Sequence, residues 1–296
     1  MQDRARLTTD FSFIQLADTQ FGMFASSSNR TDAQIAALAE RGLIIRKTPK
    51  IEGFAPETAL FTRAIERANW LKPAFVVLCG DMVNESDNDD QVAEVKRIAA
   101  LLDDSIPLHW VAGNHDVAVD HTNPDQESLD RYRDNFGPDY YAFSHSGIRF
   151  IVINSTLFTS PGPLAVQAEA QLAFVEAEAT IASFQHAESQ NAVFGTGRIV
   201  LFSHHPLFIE SPDEPDNEWS ITKQYRKPLI ELAADHGIEA NFAGHWHRNN
   251  IVEKDGLEVI SSGPVGFPLW HDPSGFRVVK VTAGGITHEY HSLETE

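Results

Sequence analysis

Short apolar segments alternate with longer amphipathic segments along most of the chain. The apolar segments are rich in valine, isoleucine and phenylalanine, a composition typical of strands that are buried on both faces. Five of them are residues 11–16, 75–78, 107–111, 199–202 and 238–242. Between them, apolar residues recur at three- and four-residue spacing, as from Pro56 to Leu71 and from Val95 to Leu102. This spacing is typical of helices that cover a sheet, so the pattern predicts an α/β fold.

A second group of apolar segments predicts further strands. They are residues 140–144, 148–154, 257–261, 276–282 and 286–291. The dipeptide Ser146-Gly147 separates the first two and predicts a hairpin with a tight turn. A long helix rich in alanine and glutamate is predicted to begin near Pro163. Because candidate site residues extend from Asp18 to His247, we expect residues 1–296 to form one domain.

Two polar segments interrupt this pattern. Residues 24–55 are predicted to be an insertion that contains a short helix, since Thr31 and Gln34 fit a capping box. The insertion follows the first site motif, so it either forms a wall of the site or lies on the surface. Residues 210–220 contain two prolines and form a candidate lid loop. A solvated crossover is the alternative for this loop.

Side chains that can bind a metal follow each of the five buried segments. They are Asp18 and Gln20, then Asp81, then Asn114 beside His115 and Asp116, then His204, and finally His245 and His247. The carboxyl ends of strands are where open α/β sheets build their sites, so we expect these side chains to converge. On an extended strand end His245 and His247 would point the same way, because side-chain direction repeats every two residues. The sequence therefore predicts a metal centre.

The predicted ligands outnumber the positions around one ion, so two ions that share a carboxylate are expected. Two ions about 3.5–4 Å apart can hold a hydroxide between them and stabilise in-line displacement at phosphorus. Asn114 can bind metal through its amide oxygen, which leaves the adjacent His115 to protonate a leaving oxygen. Asp116 is expected to fix the tautomer of the His115 ring. His115 and Asp116 are thus the catalytic candidates.

Composition and net charge limit the kinds of partner that the protein is expected to bind. The formal net charge of −19 argues against attraction to nucleic acid or to anionic membranes. Cys79 is the single cysteine, so no disulfide can form within the chain. Residues 1–6 lack the apolar core of a signal peptide, and no apolar stretch approaches membrane-spanning length. We therefore expect a soluble, cytoplasmic protein.

The five motifs, in this order along the chain, resemble those of the calcineurin-like metallophosphoesterases. They are Asp-x-Gln at residue 18, Gly-Asp at 80, Gly-Asn-His-Asp at 113, Ser-His at 203 and Gly-His-x-His at 244. The resemblance implies two packed mixed β-sheets flanked by helices, the αββα sandwich of that family. It also implies a two-metal-dependent enzyme that hydrolyses phosphate monoesters, on proteins or small molecules, by attack of a metal-bridging hydroxide.

The resemblance further implies a role for each motif residue. Asp18 and His247 would hold the first metal, Asp81 would bridge, and Asn114, His204 and His245 would hold the second, with His115 in the catalytic role. Gln20 departs from the family pattern, which usually has histidine there. An amide oxygen favours manganese, magnesium or iron at the first site, whereas zinc remains open at the second. Gln20 either binds the metal directly, which we favour, or hydrogen-bonds a water on it.

The motifs are also compatible with other functions. One is a nucleotide pyrophosphatase or phosphodiesterase of the ADP-ribose type, since an Asp-x-Gln first motif also resembles that of manganese-dependent ADP-ribose pyrophosphatases. Another is a binding scaffold without catalysis, against which the intact Asp81, Asn114 and His115 argue. Arg248 could bind the substrate phosphate or pair with a surface acid, and His205 could line the site or pack beneath it. The sequence makes no prediction about oligomeric state.

Overall fold

The computed structural model describes residues 10–118, 123–188 and 197–294, with the side chains of 184–188 left out. The N-terminal residues 1–6, for which the sequence predicts no signal segment, lie outside the described residues. The helices are α1 (Met23–Ser27), α2 (Asp32–Glu40), α3 (Ala55–Leu71), α4 (Asp89–Ala99), α5 (Asn114–Val117), α6 (Gln126–Phe136), α7 (Thr156–Thr159), α8 (Ala165–Glu188) and α9 (Lys223–His236). The strands are β1 (Phe11–Leu16), β2 (Val76–Cys79), β3 (Leu108–Val111), β4 (Tyr141–His145), β5 (Ile148–Val152), β6 (Ile199–Phe202), β7 (Ile238–Ala243), β8 (Asn250–Lys254), β9 (Leu257–Ser261), β10 (Gly275–Thr282) and β11 (Gly285–Ser292).

The strands form two mixed sheets. The first has the order β11-β10-β1-β2-β3, with β1, β2 and β3 parallel and β10 antiparallel to both of its neighbours. The second has the order β4-β5-β6-β7-β9-β8, in which β5, β6, β7 and β9 are parallel and the two edge strands are antiparallel. Ser146 and Gly147 both have positive φ in the turn between β4 and β5, as the predicted tight turn requires. The predicted two-sheet fold is confirmed.

Phenylalanines fill the space between the two sheets. Phe13 of β1 stacks on Phe75 at 4.9 Å between ring centroids, and its edge meets Phe202 and Phe242 of the second sheet at 5.6 and 5.4 Å. All four rings are buried. Edge-to-face pairs at these distances add to the burial of large apolar surfaces, so the sheets are held face to face.

Helices cover the outer faces of both sheets. Ile14 and Leu16 point away from Phe13 and pack with α3 and α4, whose buried residues include Ile65 and Val95. Strand β1 is thus apolar on both faces, which explains the near-continuous apolar run in its sequence. No helix in the described ranges is both long enough and apolar enough to cross a bilayer, α8 included.

The segment 24–55 contains the end of α1, all of α2 and an irregular return to α3. The capping box predicted at Thr31 and Gln34 is present at the start of α2. Backbone hydrogen bonds fasten the segment at both sides, from Asn29 N–H to the Thr48 carbonyl and from Ile44 N–H to the Leu269 carbonyl. The second bond joins the segment to the loop that follows β9.

Candidate metal centre

The predicted site residues lie together at the carboxyl ends of parallel strands from both sheets. Asp18 and Gln20 follow β1, Asp81 follows β2, and Asn114 begins the short helix after β3. The second sheet contributes His204 after β6 and both His245 and His247 after β7. Gln20, Asp81, Asn114, His115, His245 and His247 line a cleft of about 520 Å³, and the buried Asp18 and His204 lie behind it. Their assignment as metal ligands stays a prediction.

Four donor groups converge on one point of the cleft wall. Nε2 of His204 lies 3.3 Å from a carboxylate oxygen of Asp81, 3.0 Å from the amide oxygen of Asn114 and 3.1 Å from Nδ1 of His245. Potential ligand atoms of Asp81, His204 and His245 all lie within 4.8 Å of one another. This is the spacing of atoms that surround a single ion.

The far side of each imidazole fixes which nitrogen can bind a metal. Nδ1 of His204 lies 2.8 Å from the Cys79 carbonyl, and Nε2 of His245 lies 2.9 Å from the Glu218 carbonyl. A carbonyl only accepts, so in the neutral rings these nitrogens carry the hydrogen and the facing Nε2 and Nδ1 carry lone pairs. Lone pairs that face each other, a carboxylate and an amide oxygen repel one another unless a metal ion or a proton lies between them.

A second group lies around Asp18. Nε2 of His247 is 3.3 Å from a carboxylate oxygen of Asp18, and Nδ1 of His247 is held 2.6 Å from the Phe267 carbonyl. The same tautomer argument therefore turns the lone pair of His247 towards Asp18. Oε1 of Gln20 is buried and has no hydrogen-bond partner in the described structure. A buried amide oxygen without a partner is costly, and a metal ion would supply the missing partner. The donor atoms therefore fit two hard or borderline divalent ions.

The backbone of the ligand segments is unusual. Among the described residues, nine other than glycine have positive φ, and five of them are predicted ligands. They are Asp18 (φ 53°), Gln20 (37°), Asp81 (51°), His245 (65°) and His247 (50°). The expectation that the two histidines reach the site from an extended strand end is therefore wrong. β7 ends at Ala243, and left-handed residues turn each ring into the site.

Two glycines allow the chain segments to approach one another at the centre. A Cβ on Gly113 would overlap the backbone and carboxylate of Asp81, and a Cβ on Gly244 would overlap the Asp18 carboxylate. The glycine in each motif is thus required by the close passage of a second ligand segment.

His115 and Asp116 do not act on one another as expected. Nδ1 of His115 lies 2.8 Å from the Asn84 carbonyl, so a backbone group from the β2 loop fixes its tautomer. The buried Asp116 carboxylate instead accepts hydrogen bonds from the backbone N–H groups of Gly113, Met82 and Val83. Adjacent residues on a helical turn point in different directions, which explains the error. Asp116 ties two ligand loops together.

Charge interactions in this cluster are strong. Burial alone would raise the pKa of Asp81, yet the imidazoles of His204 and His115 hold it well below its usual value. Burial would lower the pKa of His204, but the carboxylates of Asp81 and Asp18 raise it to about 9. Burial, together with the charge of His204, lowers the pKa of His245 to about 3. The site thus holds a positive charge next to Asp81, which a proton supplies when a metal does not.

Two further predictions are settled by contacts. His205 both lines the cleft and packs beneath it, since its ring lies 4.0 Å from that of His245 and its Nδ1 contacts the Ser155 hydroxyl at 2.9 Å. Within the described part of the chain, Arg248 neither lines the cleft nor forms an ion pair. Its guanidinium stacks on Trp270 at 3.8 Å and on Trp246 at 4.7 Å, and it donates to the Gly42 carbonyl. Arg248 therefore fastens the segment 24–55 to the last ligand loop.

The loop 210–220 is folded around one acid. The Glu214 carboxylate accepts from the backbone N–H groups of Ile209, Glu210 and Ser211, and it pairs with the buried Arg226 at 3.4 Å. Residues 217–219 of this loop line the cleft. Its role as a lid stays a prediction.

Glu57 is a site-supporting residue that the sequence analysis does not name. It is buried in the first turn of α3, and its Oε1 accepts from the backbone N–H groups of Gly22 and Phe24, 3.0 Å from each. These residues directly follow Gln20, so Glu57 anchors the chain where it leaves the first motif. An acid in the first helical turn carries no sequence signal of a contact 35 residues away.

Architecture and donor atoms together place the protein among the metal-dependent phosphoesterases. The chain belongs to the calcineurin-like phosphoesterase family, whose model matches residues 11–249. It is 33% identical to the serine/threonine-protein phosphatase CPPED1 of Mus musculus over 96% of this chain and 84% of the relative. For the Danio rerio protein of the same name the identity is 32%, over 96% of this chain and 85% of the relative. The motifs also resemble those of calcineurin-like phosphoesterase domain-containing protein 1, a serine/threonine phosphatase type, and these relatives confirm that resemblance.

Solved structures show the same fold. A dimetal phosphatase from Danio rerio superimposes with a TM-score of 0.59 at 15% identity, over 97% of this chain and 100% of that one. The purple acid phosphatase PPD1 from yellow lupin gives a TM-score of 0.63 at 13% identity, over 97% of this chain and 52% of that one.

Proposed function

We propose that the protein is a phosphomonoesterase with a binuclear metal centre that acts on phosphoserine and phosphothreonine in proteins. The observation that carries the proposal is the convergence of Asp81, Asn114, His204 and His245 beside the Asp18–His247 pair, with their potential ligand atoms facing one another. The relatives named as serine/threonine-protein phosphatases support the choice of substrate.

Each ligand residue has a stated place in the proposal. Asp18, Gln20 and His247 would hold one ion, Asn114, His204 and His245 would hold the other, and Asp81 would contact both. When bound, the two ions would supply positive charge for the phosphoryl group and an activated water. The glycine contacts and fixed imidazole tautomers hold the donor atoms in position beforehand, which reduces the reorganisation that binding requires.

His115 is the proposed general acid. Its ring lines the cleft, and its backbone N–H donates to the Asp81 carboxylate at 2.9 Å, so it lies beside the bridging position. The Asn84 carbonyl holds Nδ1, which directs a proton on Nε2 away from that carbonyl. Such a proton would pass to the serine or threonine oxygen as the phosphorus–oxygen bond breaks.

Gln20 supports a manganese, magnesium or iron ion at the first position. Three of the four proposed donors there are oxygens, from Asp18, Gln20 and Asp81, and hard ions prefer oxygen. The orphaned Oε1 of Gln20 favours direct binding over contact through a water. Zinc remains suited to the second position, where two imidazoles meet.

A hydrolysis panel tests the proposed function. The substrates are phosphoserine and phosphothreonine peptides, an aryl phosphate, a bis-aryl phosphodiester and ADP-ribose, each assayed with manganese, magnesium, iron and zinc. We expect the monoesters to be hydrolysed with higher kcat/KM than the diester and ADP-ribose. Faster turnover of ADP-ribose would replace the proposal by a pyrophosphatase function. The Asp81→Asn variant serves as the control for contaminating phosphatase.

A further inference from the structure

Arg30 is a cationic side chain that lines the cleft. It lies in the segment 24–55, is half-buried, and is the only lysine or arginine among the described residues that line the cleft. Its Nε–H donates to the Ser27 carbonyl at 3.2 Å, which fixes the direction of the side chain. Within the described ranges its guanidinium forms no ion pair. By contrast, Arg46 of the same segment is paired with Glu294 at 2.9 Å.

An arginine held by Nε alone keeps its two terminal NH₂ groups for a ligand. Those groups form a planar fork that matches a carboxylate or a phosphate. The scissile phosphate has its own binding groups at the strand ends, so the fork is available for a second anionic group on the same substrate. The cleft of about 520 Å³ has room for more than one phosphate group.

The other residues that line the cleft favour a peptide substrate over a diphosphate. Met23, Leu38, Leu43, Ile45 and Leu269 line the cleft together with Arg30. A diphosphate would call for several cations, whereas a lining with one arginine and several apolar side chains matches a peptide that carries an acidic residue and apolar residues. The net charge of −19 repels acidic substrates at long range, so a local cation has a large effect on which of them bind.

We propose that Arg30 determines specificity by binding the carboxylate of an acidic residue near the phosphorylated residue of a peptide substrate. The proposal rests on the phosphoprotein phosphatase function proposed above. Arg30 contacts only the flanking residue, so its contribution is to binding and not to the breaking of the phosphorus–oxygen bond. Its loss should therefore raise KM and leave kcat nearly unchanged.

Matched phosphoserine peptides test the proposal. One series carries glutamate at a single position, one to four residues on either side of the phosphoserine, and the other carries glutamine there. The wild-type enzyme should prefer one glutamate peptide by about tenfold in kcat/KM, the size of one charged hydrogen bond. Arg30→Gln should abolish that preference and leave aryl phosphate hydrolysis unchanged. Arg46→Gln, the same change on the same segment, should keep the preference.

Reversal of the charge at residue 30 and an increase in salt concentration provide two further tests. Arg30→Glu should prefer a lysine peptide at the selected position, and the wild-type preference should shrink as salt is raised. Equal loss on both peptides and on the aryl phosphate would overturn the proposal and assign Arg30 to the scissile phosphate or to the structure of its segment. Hydrolysis of both peptide series without a preference for glutamate would overturn the proposal about Arg30 and leave the proposed phosphatase function intact. Hydrolysis of neither series, with activity on ADP-ribose or the aryl phosphate, would overturn the proposed function as well.

Discussion

His204 and His245 face one another across 3.1 Å, Nε2 to Nδ1, and each bonds a backbone carbonyl through its other ring nitrogen. The carbonyl of Cys79, at the end of β2, and that of Glu218, in the loop 210–220, thus fix which nitrogen of each ring faces the other ring. The arrangement is stable only when something positive lies between the rings and the Asp81 carboxylate.

Asp81→Asn should lose most bound metal at both positions. Asparagine keeps the shape and tolerates the left-handed backbone of residue 81, so the change removes charge without breaking the loop. Elemental analysis of the purified variant measures the effect. Asp87→Asn, at an exposed acid in the same loop, should keep the metal content of the wild type. Full metal content in Asp81→Asn would refute the bridging role.

His115→Ala should reduce turnover of alkyl phosphates by about 10²–10⁴-fold, because their leaving oxygen needs a proton. An activated aryl phosphate should lose much less, since its leaving oxygen is a weak base. Steady-state kinetics on both substrates measures the difference, and metal content should stay near that of the wild type. An equal loss on the two substrates would point to substrate binding.

Gln20→His should strengthen zinc or iron binding relative to manganese, because a second imidazole enters an oxygen-rich site. Titrating activity against each metal, and measuring bound metal directly, gives the ranking. Asn84→Ala is the matched control, since it removes only the partner that lies 3.4 Å from the Gln20 amide nitrogen. If Gln20→His leaves the ranking unchanged, Gln20 contacts a water and not the ion.

Glu57→Gln should alter how stability depends on pH. Burial raises the pKa of Glu57 above the usual value for a glutamate, although backbone N–H groups oppose the shift. The folded state therefore holds this proton more tightly than the unfolded state, so the contribution of Glu57 to stability falls as pH rises from about 4.5 through the raised pKa.

Urea unfolding from pH 4.5 to 8 measures this dependence. The wild type should lose stability relative to Glu57→Gln as the pH rises. Glu52→Gln, at an exposed acid just before α3, should follow the wild type. Parallel pH curves for wild type and Glu57→Gln would contradict the prediction.

Arg248→Met should loosen the segment 24–55. The change removes the stacking on Trp270 and Trp246 and the bond to the Gly42 carbonyl, and a desolvated cation–π contact is worth about 2 kcal/mol. Limited trypsin digestion should cleave at Arg41, Arg46 or Lys47 at least about fivefold faster. In Lys254→Met, which changes an exposed cation of β8, the same three sites should be cleaved at the wild-type rate.

Much of this molecule follows from local pattern. A buried strand can be predicted from one stretch of sequence, as in residues 75–78. The polar residue that follows such a strand must lie at the edge of the sheet. For this reason the sequence brings Asp18, Asp81, Asn114 and His204 to one place without any knowledge of the packing.

The local sequence pattern does not show contacts between residues that are far apart in the sequence. The carbonyl that orients His115 belongs to Asn84, and the partners of Arg248 are Gly42 and Trp270, so no short window contains either pair. The edge strand β8 has only two apolar residues, Ile251 and Val252, and it forms because β9 lies beside it. The apolar pattern of residues 250–254 accordingly does not predict a strand.

The left-handed backbone at five ligand positions limits how this enzyme can change. Asparagine, aspartate, histidine and glycine accept positive φ, whereas valine, isoleucine and threonine do not. A library intended to alter metal preference at Asp18, Gln20, Asp81, His245 and His247 should therefore favour these four residue types and leave out the β-branched ones, which would strain the backbone. Asn114 and His204 do not have positive φ, so the second ion is the one whose coordination evolution and engineering can vary more freely.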